Sequence, residues 1–282
     1  FYADDTSLYV TFEPGKAHDT IAHLEECLKS VHAHMVKKKL KMNTTKTDVL
    51  LISSKALSRK LPDIVTLTVG EDGVPISDAV QYIGVLLDER LSMVDHINSI
   101  CRSTHVHIRN IARIRKMLSC QTCEQLVHAL VTTKLDYANA LLFGLPNVLM
   151  KKLQRLQNMA ARVITFTPRG SHITPVLKQL HWLPVQERVI FKICLMVFKC
   201  VHGTAPSYLE ELLIVRPPVH GLRSLEVTTL TVPRHSNDFE LRAFSVCGPK
   251  LWNSLSPETR RCESLTLFKK KLKTELFSKY FN

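Results

Sequence analysis

The sequence predicts an α+β chain: a small antiparallel sheet with a covering helix, then a long helical stretch, then a mixed C-terminal region. Three observations predict it. Apolar residues form short strand-like runs between turn residues over 1–90, and they recur at steps of three and four from 95 onward. The charge also changes sign between the two parts. Residues 1–92 hold 11 Lys and Arg against 13 Asp and Glu, whereas 93–282 hold 27 against 12, so the excess behind the formal charge of +13 lies in the second part.

The chain of 282 residues is 45% hydrophobic and 22% charged, which excludes a disordered polymer and, at about 150 residues per domain, suggests two domains. Its longest uncharged apolar runs, such as Ile193 to Phe198 and Ala138 to Leu145, fall far short of the roughly 18 residues a membrane span needs. A sequence pI near 9.4 points to a polyanionic partner, with nucleic acid and anionic membrane as the candidates. The sequence opens at Phe1 with no basic stretch leading into an apolar one. It is expected to be a fragment without a secretory signal.

In chain order, Phe1 to Phe12 predicts strand, turn and strand around Asp4-Asp5. Ile21, Leu24, Leu28, Val31 and Met35 predict an amphipathic helix over 18–41, and Thr47 to Ser53, Ile64 to Val69 and Val80 to Leu87 predict strands, with a turn at Glu71-Asp72-Gly73. From Asp95 the period is helical. Ile97, Ile100, Thr104, Ile108 and Ile111 line one face, and Arg102, Arg109, Arg113 and Lys116 line another.

A second helix is expected over 122–142 and a third over 147–164, the latter carrying Lys151, Arg155 and Arg162 on a common face. Residues 93–170 hold 11 basic residues against Asp95, Glu124 and Asp136 alone, which marks this stretch as the footprint for a phosphate backbone. Beyond it, Thr174-Pro175, Pro184 and Pro206 open helices that end near 181, 203 and 214. Arg216-Pro217-Pro218 and Gly221 read as a linker, Leu225 to Val232 and Phe239 to Cys247 as strands, and 264–280 as a last helix.

Eight cysteines are scattered without a repeated spacing, so they are expected reduced, in the nucleus or cytoplasm. Cys120 and Cys123 have C-x-x-C spacing but no local second pair, which argues against a four-ligand zinc site.

The constellation with the clearest chemistry is Asp4-Asp5, because paired carboxylates at a hairpin turn can hold magnesium for phosphoryl transfer. The ordered series Tyr2-Ala3-Asp4-Asp5, then 40–51 from Leu40-Lys41-Met42-Asn43 through Lys46-Thr47 to Leu51, then 82–88 from Tyr82-Ile83-Gly84-Val85 to Asp88 resembles the later part of a LINE-type (non-LTR) retrotransposon reverse transcriptase palm. Blocks at 135–139, 153–162, 180–185 and 248–253 are similar to the long C-terminal region of jockey-like members, so the resemblance spans essentially the whole chain.

The resemblance implies an RNA-directed DNA polymerase that uses an RNA template, a DNA primer, deoxynucleoside triphosphates and Mg2+. Residues 1–92 would be the end of the palm, 93–170 a thumb-like nucleic-acid-binding region and 171–282 the C-terminal region. It implies Asp4 and Asp5 as metal-binding catalytic aspartates, Lys46 near the leaving pyrophosphate, and Tyr2, Tyr82 and Gly84 against primer or nucleotide. Fingers, front palm and a further metal-binding aspartate precede this hairpin in such enzymes, so the isolated chain is expected to be inactive. The rival expectation is a non-catalytic nucleic-acid-binding remnant, and a third is a protein-interaction module built on the apolar helices of 184–214.

Overall fold

The computed structural model describes residues 6–61, 66–216, 228–235, 237 and 239–281, and it is a mixture of helices with small sheets. The chain divides into two compact units, Phe1–His96 and Ile97–Asn282.

In the first unit, residues 6–13 form no strand, although the apolar Leu8, Tyr9, Val10 and Phe12 predict one. Leu8, Tyr9 and Val10 are exposed, so this run has no buried apolar face to hold it extended. The other half of the predicted hairpin lies outside the described residues. Helix α1, Ala17–Lys37, follows a turn at Pro14–Lys16.

Helix α1 ends in a Schellman closure, with Lys39 at φ 59° and the N–H groups of Lys39 and Leu40 donating to the Val36 and Met35 carbonyls at 2.9 Å. Its Leu28, with half-buried Ile21 and Leu24, packs on Leu67, Val69 and Val74 beside Met42 and Val49.

Those core residues belong to a sheet of β1 (Val49–Leu50), β2 (Thr66–Val69) and β3 (Asp72–Ser77) in the order β1-β3-β2, with a single helical turn α2 (Lys55–Ser58) after β1. The sheet is mixed, which corrects the antiparallel expectation. β2 and β3 form a hairpin, and β3 lies between its partner and β1, so β1 runs parallel to it. The hairpin turns at Gly70-Glu71, where Gly70 takes φ +67°, one residue before the predicted position. Glu25 of α1 accepts the Thr68 N–H at 2.8 Å, giving a backbone donor of the edge strand β2 a partner.

The predicted strand over Val80 to Leu87 is a separate hairpin, β4 (Ala79–Tyr82) and β5 (Val85–Asp88), with Tyr82 opposite Val85. Ile83 and Gly84 both have positive φ, at 43° and 74°, the pattern of a two-residue I′ turn. A β-branched residue at such a φ is strained.

In the second unit, helix α3 (Val94–Ile114, which begins in the first unit) buries Ile97, Ile100, Thr104, Ile108 and Ile111, as the sequence predicts. The expected helix over 122–142 is interrupted. α4 (Cys120–Val127), capped by Ser119, runs through a π-helical turn at His128–Thr132 into α5 (Thr133–Asp136), which ends where Ala138 takes φ 50°. Helices α6 (Asn147–Thr165), α7 (Thr174–Gln179) and α8 (Val185–Val201) follow, and then the one-turn α9 (Ser207–Glu210) in place of a helix reaching 214.

The run Phe239 to Cys247, which alternates like a strand, instead enters α10 (Phe244–Asn253). A short apolar run fits either period, and burial of Val246, Pro249 and Trp252 at steps of three decides for helix. Residues 217–227, with most of the predicted linker and the start of the next strand, lie outside the described residues. Leu230 makes an isolated bridge to Val215.

Helix α8 is the centre of this unit, buried along Val185, Val189, Ile193, Cys194, Val197 and Phe198 and packed by α6, α10 and α12 (Leu265–Phe281). A Cβ on Gly248 of α10 would lie 3.0 Å from Val197 Cγ2, so glycine sets that close approach. Phe198 stacks on Phe268 at 4.4 Å, while Lys279 offsets part of the burial that raises the Glu187 carboxyl, so α8 and α12 run antiparallel. Glu275 of α12 accepts from Ser256 and Thr259 and so fixes α11 (Pro257–Arg260).

Candidate nucleic-acid interface

Asp4, Asp5 and Tyr2 lie outside the described residues. Among the described residues no group of three or more His, Cys, Asp or Glu is placed to hold a metal ion.

Lys46 is exposed on a 3-10 turn, Thr44–Lys46, that leads into β1. Asn43 caps that turn by accepting the Thr45 N–H, and the Thr44 hydroxyl donates to Asp72 at 2.7 Å on β3, which ties the turn to the sheet. Tyr82 and Gly84 sit at the tip of the β4–β5 hairpin, where Tyr82 is 43% exposed. The Gly84 φ of 74° is cheap only for glycine.

The basic residues are the better-described part. Arg102, Arg109, Arg113 and Lys116 are all exposed, the first three on one side of α3, as are Lys151 and Arg155 on α6. None of them has an ion pair or a side-chain hydrogen bond with an acid among the described residues.

Two contacts fix the helices beside each other. Lys152 of α6 donates to Asn98 of α3 at 2.9 Å near their beginnings, and Arg115, just past the end of α3, donates to the Val163 and Ile164 carbonyls near the end of α6. The helices thus run side by side in the same direction. At 100° per residue, Arg102, Arg109 and Arg113 lie within about 60° of Asn98, and Arg155 lies about 60° from Lys152 with Lys151 beyond it. Both stripes therefore flank one seam. Arg102 to Arg113 spans about 16 Å of helix axis, the rise of about five nucleotides along one strand.

No family model, curated protein or solved structure matches this chain.

On α6, Arg162 departs from its predicted role, and Lys152 takes a role that the spacing did not assign it. Arg162 is half-buried and donates to the Ser171 carbonyl at 3.0 Å, which turns its charge into the following loop and away from a shared phosphate-binding face. Lys152, which spacing leaves between the stripe and the core, closes the seam. Arg115 is the residue that charge counting misses. Its guanidinium is buried, donates to the carbonyls of Val163, Ile164 and Leu118 at 2.6–2.8 Å and lies 4.0 Å from the Phe166 ring centroid. It caps orphan carbonyls at the end of α6 and opposes the negative end of the helix dipole. The signal was present in the sequence, because Arg115 is four residues after Ile111 and so continues the apolar stripe.

Asp136, one of the few acids in this stretch, is engaged by the Arg188 guanidinium of α8, with Nε at 2.8 Å from Oδ1. Its charge is thereby masked. The cysteines are all free. Burial pushes the Cys194 thiol up to about 12 and the Cys247 thiol up to about 11, whereas Cys27 and Cys120 are exposed. No helix is long and apolar enough to cross a membrane among the described residues.

Proposed function

We propose that this chain is the C-terminal portion of a LINE-type RNA-directed DNA polymerase, and that its second unit holds the phosphate backbones of a template–primer along the α3–α6 seam. The ordered series of sequence blocks supports the polymerase assignment. The observation that carries the binding role is the Asn98–Lys152 contact with exposed, unpaired basic stripes on either side of it.

Guanidinium and ammonium groups along such a seam neutralise successive phosphates and read no sequence, which suits an enzyme that must copy any template. The seam would keep the primer terminus in place during nucleotide addition, a positioning role. Lys46, exposed on a turn anchored to β3, is free to neutralise and protonate a departing pyrophosphate. Bound magnesium would supply the Lewis acidity for attack of the primer 3′-hydroxyl on the nucleotide.

The seam equally supports a non-catalytic nucleic-acid-binding protein, because none of its residues depends on Asp4 or Asp5. Fluorescence anisotropy of a labelled duplex across a salt series tests the shared core of both readings. A steep fall of log K with log salt is expected, and a flat line would remove the binding role.

A further inference from the structure

The end of the seam carries an exposed aromatic ring that the backbone would not choose. Phe166 closes α6 in the left-handed region at φ 54°, a position that favours glycine or asparagine, and the residue is 61% exposed. A bulky residue kept there costs stability twice, in backbone strain and in exposed apolar surface. That cost points to a use for the ring itself.

The surroundings identify what the ring fits. Arg115, locked by three carbonyls, covers one face at 4.0 Å and holds the ring still, leaving the rest open to solvent. Residues 106–119 and 159–173 contain no Asp or Glu and carry Arg109, Arg113, Lys116, Arg162 and Arg169, while Glu124 of α4, whose Cys120 reaches the Ile164 carbonyl, faces His128 at 3.6 Å. A phosphate is not the natural occupant of the ring's own position. The guanidinium is spent on carbonyls, and the end of α6 carries the negative pole of its dipole. A flat, neutral, π-rich group with a phosphate tail fits both the ring and the charges beside it.

The geometry points to Phe166 as a stacking platform for an unpaired nucleobase at the C-terminal end of the α3–α6 seam, so that this surface takes a duplex bearing a single-stranded tail in preference to a blunt one. This rests on the seam as a phosphate-binding surface. The base is that of DNA or RNA, since stacking does not separate the two.

The experiment uses the whole chain with a labelled blunt duplex, the same duplex carrying a short tail of unpaired thymidines, and oligo-dT and oligo-U strands. The tailed duplex should bind at least about fivefold tighter than the blunt one, the scale of a single stacked base. Phe166→Leu should bring the tailed duplex down to the affinity of the blunt one. Phe166→Trp should keep the preference and show tryptophan quenching by both oligo-dT and oligo-U, because the native Trp182 and Trp252 are buried.

Equal affinities for tailed and blunt duplex in the native chain would overturn the platform. So would an unquenched Phe166→Trp protein, which decides the matter even if the leucine variant does not fold. A steep salt dependence with no tail preference sinks the platform alone, whereas a flat salt dependence sinks the seam as well.

Discussion

Asp88 accepts the backbone N–H of Met93 at 2.8 Å, and with the N–H groups of Ser92 and Arg90 and the Ser92 hydroxyl it closes the turn by which β5 enters α3. Burial works to raise this carboxyl, but the donors from Ser92, Met93 and Arg90 outweigh it and hold it below the usual carboxylate range.

Replacing Asp88 with Asn removes that charge and should destabilise the turn by about 1–2 kcal/mol at neutral pH. A carboxyl with a lowered folded pKa contributes fully above its unfolded value of about 3.9 and loses the contribution as pH falls through the folded value. Hydrogen exchange of the Met93 amide should therefore be faster in Asp88→Asn at pH 7. In urea melts the stability gap between the two proteins should close below about pH 4. A gap that persists into stronger acid would mean that the carboxylate is not what holds the turn.

His96 is buried, and its Nδ1 accepts the Leu86 N–H at 3.3 Å, so the ring is neutral. Burial pushes its pKa down. The stabilisation is complete above the unfolded value of about 6.5 and fades as pH falls through the lower folded value. An NMR titration should place the His96 midpoint below 6.5, and a midpoint above it would contradict the neutral, buried assignment.

Arg109→Gln with Arg113→Gln removes two charges from the seam and leaves helix propensity nearly level. On duplex DNA the slope of log K against log salt should shrink by about two units, with binding weakened alike for all sequences. Anisotropy across the salt series measures it, and an unchanged slope would make this stripe a solvated face only.

Arg115→Gln also removes one positive charge but strips the cap from α6, leaving buried carbonyls short of donors. It should cost about 3 kcal/mol, whereas Arg109→Gln stays within about 0.5 kcal/mol. Thermal or urea melts of the two proteins separate the roles, and equal stabilities would refute the capping assignment.

In a polymerase that contains this stretch, Asp4→Ala or Asp5→Ala should abolish primer extension, and Lys46→Ala should slow chemistry while sparing template binding. Rates within about threefold of the parent, less than one 1.36 kcal/mol decade of barrier, would show that the aspartates do not hold the metals.

Much of the second unit was legible in the sequence because its helices are long and strongly periodic. The buried stripe from Ile97 to Ile111 and the exposed arginines opposite it follow from spacing alone. What spacing could not give is what a side chain does once folded. Arg162 and Arg155 are alike in sequence, yet one bends into the Ser171 carbonyl and the other faces solvent. Parallel pairing of β1 with β3 depends on a contact between segments far apart in the chain, and Phe239 to Cys247 was ambiguous because a short apolar run suits both periods. The adjacency of α3 and α6, on which the seam rests, is a tertiary contact with no local signature.

The uneven burial of the thiols gives this chain a built-in clock. Cys27, in the first unit, is open to an alkylating reagent, while Cys194 and Cys247 lie deep in the second and are held as inert thiols far above neutral pH. Modification of the deep pair must wait for the α8–α10 contact to part, so its rate reports how often the helical unit opens. Timed against nucleic acid, the same labelling would show how far a bound strand slows that opening, without any reporter being added to the protein.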